Sequence, residues 1–150
     1  MKAISKMNDS FFLYGIGLNS FNESNEKAEI DNLIIYSISL NAKKLTMFPR
    51  LLRHLFLFIE LFFKMFFNAV IIKPNIIHCH DVKVLPIAVM IKYLTRSKLI
   101  YDAHELESDK NGITKIFGKF ILFTEKLLWK SIDTIIVVSP SIDKWYKENI

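Results

Sequence analysis

The sequence predicts an α/β fold: a parallel sheet flanked by helices. Three observations carry that prediction. From residue 75 onward, apolar runs of strand length alternate with helical segments, the signature of βαβ units. Two of those runs end abruptly in histidine and carboxylate, at His78-Cys79-His80-Asp81 and at Asp102-Ala103-His104-Glu105. The chain is also 51% hydrophobic and 23% charged over 150 residues, enough apolar surface to build a globular core of one ordinary domain.

The elements follow in order. Residues 11–18, Phe-Phe-Leu-Tyr-Gly-Ile-Gly-Leu, read as a buried strand. The polar, acidic run Asn19 to Asp31 reads as a loop, and residues 33–40 alternate as a second strand. From Pro49 to Ile72 no Pro or Gly interrupts a helical pattern. At about 100° per residue its polar residues Arg50, Arg53, His54, Glu60, Lys64 and Asn68 fall on one stripe. Pro74 closes the helix. Residues 75–80 then form a strand, 83–95 a helix with Pro86 in its first turn, and 98–103 a strand. Asp109-Lys110-Asn111-Gly112 signals a turn, 114–130 an amphipathic helix, and Asp133 to Val138 a last strand. Ser139 caps the final helix, with Pro140 at its first position. Such alternation implies parallel strands joined by right-handed crossovers. Met1 to Asp9 reads as the end of a helix feeding a strand, so the chain is expected to begin and end inside a larger fold.

The formal net charge of +5 favours an anionic partner, or marks a solvated basic surface. Lys43-Lys44 is too small a cluster for nucleic acid, and the aromatic residues fall in core-like runs, so no nucleic-acid partner is expected. The single cysteine, Cys79, excludes an internal disulfide framework and reads as a small core hydrophobe. The amino terminus lacks a secretory pattern. A P-loop, nucleophile elbow and zinc-finger spacing are all absent. Gly15-Ile16-Gly17 lacks a following helix and belongs to a strand end.

In open α/β sheets ligands bind at the carboxyl ends of the strands, and there the chemistry gathers. His78 and His80, two apart on a strand, share one face. Two readings stand for them. His78 is a core histidine with its ring nitrogens satisfied by the backbone, or the pair ligates a metal, as in metal-dependent hydrolases, with His104 and Asp81 as further donors. No complete ligand set is visible, so no metal is expected. His80 and Asp81, at the strand terminus, either line a site or bond loop amides and cap the next helix. His104 is the stronger candidate. A neutral imidazole there donates to a phosphate or sugar hydroxyl, or accepts a proton near neutral pH, and Glu105 either fixes its tautomer or binds a hydroxyl; the other reading is that His104 and Glu105 only tie the loop down.

Three segments taken together resemble a known family: Lys73-Pro74-Asn75-Ile76-Ile77-His78-Cys79-His80-Asp81, Lys98-Leu99-Ile100-Tyr101-Asp102-Ala103-His104-Glu105, and Asp133-Thr134-Ile135-Ile136-Val137-Val138-Ser139. In order and spacing they resemble the amino-terminal domain of GT-B glycosyltransferases of family 4, over about residues 10–150. The resemblance implies a Rossmann-like domain, the acceptor-side half of a retaining, nucleotide-sugar-dependent transferase. No cofactor is implied beyond the nucleotide-sugar co-substrate, and usually no metal. His104 matches the family's cleft histidine and takes the catalytic role. His80, Asp81, Asp102 and Glu105 take substrate-binding roles. The acceptor is a saccharide or lipid-linked saccharide, as in cell-surface polysaccharide synthesis.

The family's first strand and its donor-binding carboxyl-terminal domain have no counterpart in the 150 residues, nor does the Glu-x7-Glu donor signature. The isolated chain is therefore expected to be inactive. It would work through a donor-binding partner, or stand as a non-catalytic remnant. The location implied is cytoplasmic, at the inner membrane face. Helix 49–72 has two readings: its wide apolar face packs on the sheet, or its Phe-rich surface meets a membrane or a partner. Glu60, Lys64 and Asn68 argue against a transmembrane span. Arg50, Arg53 and Lys64 suit interfacial attachment.

Overall fold

In the computed structural model the described residues are 12–18, 26–30, 32–44, 46–106, 108 and 114–150. The expected helix end at Met1 to Asp9 and the turn at Asp109 to Gly112 lie outside them. The chain divides into two compact units, Met1–Ile71 and Ile72–Ile150.

The first unit holds strands β1 (Leu13–Leu18), β2 (Glu26–Ile30) and β3 (Leu33–Ile38), a 3-10 turn at Asn41–Lys44 and helix α1 (Arg50–Ile72). β3 is the central strand, parallel to β1 and antiparallel to β2. Gly15 and Gly17 are paired inside β1, opposite Ile35 and Ser37, as a strand assignment requires. β2 corrects the loop reading of Asn19 to Asp31. Its exposed Lys27 and Glu29 pair at 3.4 Å. Charge on an edge strand blunts further pairing, and that same charge gives it the hydropathy of a loop.

α1 turns the Glu60–Lys64 part of its polar stripe inward, while Arg50 and His54 stay exposed. The Glu60 carboxylate accepts the Asn41 and Ala42 amides at 2.9 and 2.8 Å, at the start of the 3-10 turn. Lys64 Nζ donates to Ser39 O at 2.8 Å and pairs with Glu60 at 2.7 Å, the expected i,i+4 contact. The apolar surface is left outside. Leu51, Leu55, Phe56, Phe58, Phe63, Phe67 and Ile71 are all exposed, so the packing of a wide apolar face on a sheet is not what forms. By length and composition this helix is sufficient to cross a membrane, and only 6% of its most apolar 18-residue window is buried. A core helix would be mostly buried.

The second unit holds the predicted alternation: β4 (Ile76–Cys79), α2 (Leu85–Thr95), β5 (Lys98–Ala103), α3 (Lys115–Leu128) with a 3-10 turn at Trp129–Ser131, β6 (Thr134–Val137) and α4 (Pro140–Asn149). The three strands are parallel in the order β4-β5-β6, a mixed α/β unit compatible with a Rossmann-like arrangement. Pro86 lies in the first turn of α2. Ser139 Oγ accepts the Ile142 amide at 3.3 Å, with Pro140 opening α4 as expected.

Period-two alternation sorts the two faces of this sheet. Ile77, Cys79, Leu99, Tyr101, Ala103, Ile135 and Val137 point to one side and form the core with α2, α3 and α4. Cys79 is buried there, and desolvation pushes its thiol up to about 11. Glu125 of α3 is fully buried in this apolar layer, its Oε1 accepting from Tyr101 at 2.9 Å and Tyr146 at 2.7 Å. Those two phenolic donors make its burial tolerable. The amino edge of the sheet is closed by Asp133, which accepts from Lys92 Nζ, the Leu99 amide and Lys98 Nζ at 2.6, 2.8 and 3.2 Å. The Lys92 hydrogen bond, then the Leu99 amide, hold its carboxyl well below the usual carboxylate range.

Candidate functional site: a histidine–aspartate cluster at the strand ends

The even-numbered residues of β4 and β5 face away from that core. The parallel register sets His78 opposite Ile100 and Cys79 opposite Tyr101. Continuing it by one residue places His80 beside Asp102. In-register neighbours on parallel strands share a face, so His78, His80, Asp102 and His104 all project to the same side, at the carboxyl edge.

They converge on one carboxylate. His78 Nε2 and His80 Nδ1 lie 3.3 and 3.2 Å from Asp102 Oδ2. His104 Nδ1 lies 2.8 Å from the other oxygen, Oδ1. The His78 and His80 rings are 4.1 Å apart between centroids, and His80 and His104 5.6 Å. The Asp102 side chain is 11% exposed, while the His78, His80 and His104 side chains are 43%, 49% and 54% exposed. A nearly buried anion thus carries three imidazoles at the solvent boundary. Burial is the largest influence on His80 and, with its neighbours His78 and His104, holds that imidazole below its usual range against the pull of Asp102.

The exposure of His78 corrects its reading as a core histidine. The odd-numbered side of β4 is the core side, so position 78 faces outward, and Asp102 rather than the backbone engages its ring. The structure brings His80 and His104 together around Asp102. Asp102 is their hub, a stronger part than its place in the sequence pattern suggested.

Asp81 is turned to the loop: Oδ1 accepts the Lys83 amide at 2.8 Å and Oδ2 lies 3.9 Å from Lys83 Nζ. It bonds a loop amide, as one reading held. It does not cap α2, whose N-cap Val84 has no side-chain cap bond. Glu105 is exposed, and the tautomer of His104 is set by Asp102 instead.

Donation of Nδ1–H to the carboxylate leaves the His104 lone pair on Nε2. That nitrogen can accept from a hydroxyl or, once protonated, donate to a phosphate oxygen. Among the described residues, the donor atoms of His78, His80 and Asp102 form a set within 4.8 Å of one another, a group able to hold a metal. No protein-family profile matches this chain, and no curated protein matches it.

Proposed function

We propose that this chain supplies the acceptor-side wall of a retaining, nucleotide-sugar-dependent glycosyltransferase of GT-B type, acting on a saccharide or lipid-linked saccharide at the inner membrane face. The observation that carries this reading is the convergence of His80 and His104 on Asp102 at the carboxyl edge of parallel strands. That edge is the ligand-binding edge of open α/β sheets. The resemblance of the three strand segments to family 4 enzymes gives the reaction class.

In this reading Asp102 orients His104, and His104 Nε2 meets a sugar hydroxyl or the leaving phosphate. His80, its Nδ1 likewise turned to Asp102, presents a second imidazole nitrogen beside it. A donor-binding partner or domain provides the opposite wall, and turnover needs both walls. The outward Phe face of α1 attaches the protein to the lipid surface, where a lipid-linked acceptor resides. Glu60 and Lys64 tie that helix to residues 39–42, which favours interfacial attachment over a span.

Histidine-selective imidazole NMR tests the binding half of this proposal. The four histidines give separate signals, and His54 serves as the internal control. With a chelator present, titration with UDP-glucose and with polyprenyl phosphate in detergent micelles is expected to shift His104 and His80 and leave His54 in place. No movement of His104 with either probe contradicts the reading.

A further inference from the structure

Three of the four histidines stand around one carboxylate, more imidazole than a hydroxyl-binding or phosphate-binding site requires. The geometry on Oδ2 is specific. A tetrahedral zinc ion, with bonds of about 2.0–2.2 Å, sets its ligand atoms about 3.3–3.5 Å apart. The edges from Asp102 Oδ2 to His78 Nε2 and to His80 Nδ1 are 3.3 and 3.2 Å. Two edges of a ligand triangle are therefore close to tetrahedral dimensions. The third, between one ring nitrogen of each histidine, lies within 4.8 Å. It joins two exposed rings on neighbouring same-face positions, and side-chain torsions can shorten it without moving the strand.

We propose that His78, His80 and Asp102 bind one divalent transition-metal ion of the zinc class, with a coordination position open to solvent. Two imidazoles and one carboxylate suit borderline metals and not calcium or magnesium, which take oxygen ligands. Three protein ligands with an open fourth position is the arrangement of reactive rather than structural zinc sites. Asp102 ligates through Oδ2 and keeps Oδ1 for His104, whose hydrogen bond fixes the carboxylate as an outer partner does. The chemistry balances without loss of a proton. The N–H hydrogens that face Oδ2 move to the other nitrogen of each ring, and the freed lone pairs take the metal.

The pair His78 and His80 offered only two ligands in the sequence. The third, Asp102, is 22 residues from His80 and becomes a neighbour only through the β4–β5 register. This site rests on three side chains alone and does not depend on the glycosyl-transfer reading.

Zinc titration of the full chain, free of any affinity tag and read against a chromophoric competing chelator, tests the proposal. Cobalt absorption reports the coordination geometry. One equivalent of zinc is expected to bind, with a four- or five-coordinate cobalt spectrum. The His78→Ala/His80→Ala double variant is expected to weaken binding about tenfold or more, and His54→Ala to leave it unchanged. Both site rings are exposed, so the double variant keeps its core, and an unchanged circular dichroism spectrum verifies that. Asp102→Asn gives a second reading, with the same loss expected. Binding of less than half an equivalent, or a double variant weakened less than tenfold, overturns the site. Zinc binding without imidazole shifts from UDP-glucose or polyprenyl phosphate would contradict the transferase reading alone. Those shifts without zinc binding would contradict the metal site alone.

Discussion

Glu125 and Asp102 place two carboxylates on opposite sides of the same strand, with opposite consequences. Glu125 reaches the core face, where it is fully buried and receives the phenols of Tyr101 and Tyr146. Burial, and then the neighbouring Glu125, drive the Tyr101 phenol far above its ordinary value, so it stays a neutral donor. Tyr146→Phe removes one such donor and is expected to cost about 1–2 kcal/mol in urea unfolding. Glu125→Ala, which strands both phenols and opens a cavity, is expected to cost about 2–4 kcal/mol. Equal stability of the two variants and wild type would show that this network does not hold α3 and α4 to the sheet.

Asp102 lies one position along, on the other face, and gathers histidines instead. Period two along any strand puts Tyr101 and Asp102 on opposite faces, but the apolar run Leu99-Ile100-Tyr101 does not show which face is the core. The partner of each was not visible. The β4–β5 register and the 24-residue return from Tyr101 to Glu125 are properties of tertiary pairing, which no local pattern encodes.

At the scale of elements, α1 shows how periodicity defines a helix and still leaves open which of its faces turns inward. Its range and its Glu60–Lys64 pair follow from periodicity. Its orientation follows from two backbone amides at the 3-10 turn and one carbonyl at Ser39, which draw the charged stripe toward the protein. Burial raises the Glu60 carboxyl. The Lys64 hydrogen bond and the Ala42 and Asn41 amides outweigh that and hold it below its ordinary value of 4.5.

A depressed carboxyl contributes stability above the unfolded-state value and loses it as pH falls through the folded-state value. The first unit is therefore expected to weaken as pH drops below about 4.5. Glu60→Gln should be less stable than wild type at neutral pH, with the gap closing in acid, as followed by circular dichroism. A gap that stays constant from neutral to acid pH contradicts this role. β2 is the converse case. Its hydropathy is that of a loop, and only an antiparallel neighbour in β3 makes it a strand.

For the whole molecule, the second unit was the more readable half, because βαβ alternation is periodic and its strands are apolar. Its candidate site is self-contained, formed by residues 78–104 at one edge of one sheet, while Asp133 locks the opposite edge. The first unit adds the outward Phe surface of α1. These two features support the proposal of a membrane-facing protein whose β4 and β5 strand ends form one wall of a glycosyl-transfer cleft.

Transfer of radiolabelled sugar from UDP-glucose, UDP-N-acetylglucosamine or GDP-mannose to polyprenyl phosphate measures that claim most directly. The comparison is between membranes of the protein's own source cells, which supply the donor-binding partner the proposal requires, carrying either the wild-type protein or His104→Ala at equal abundance. Transfer above background is predicted with wild type for one of these donors, and about a hundredfold less with the variant. Equal transfer by the two, or none by wild type with any of these donors, would contradict it.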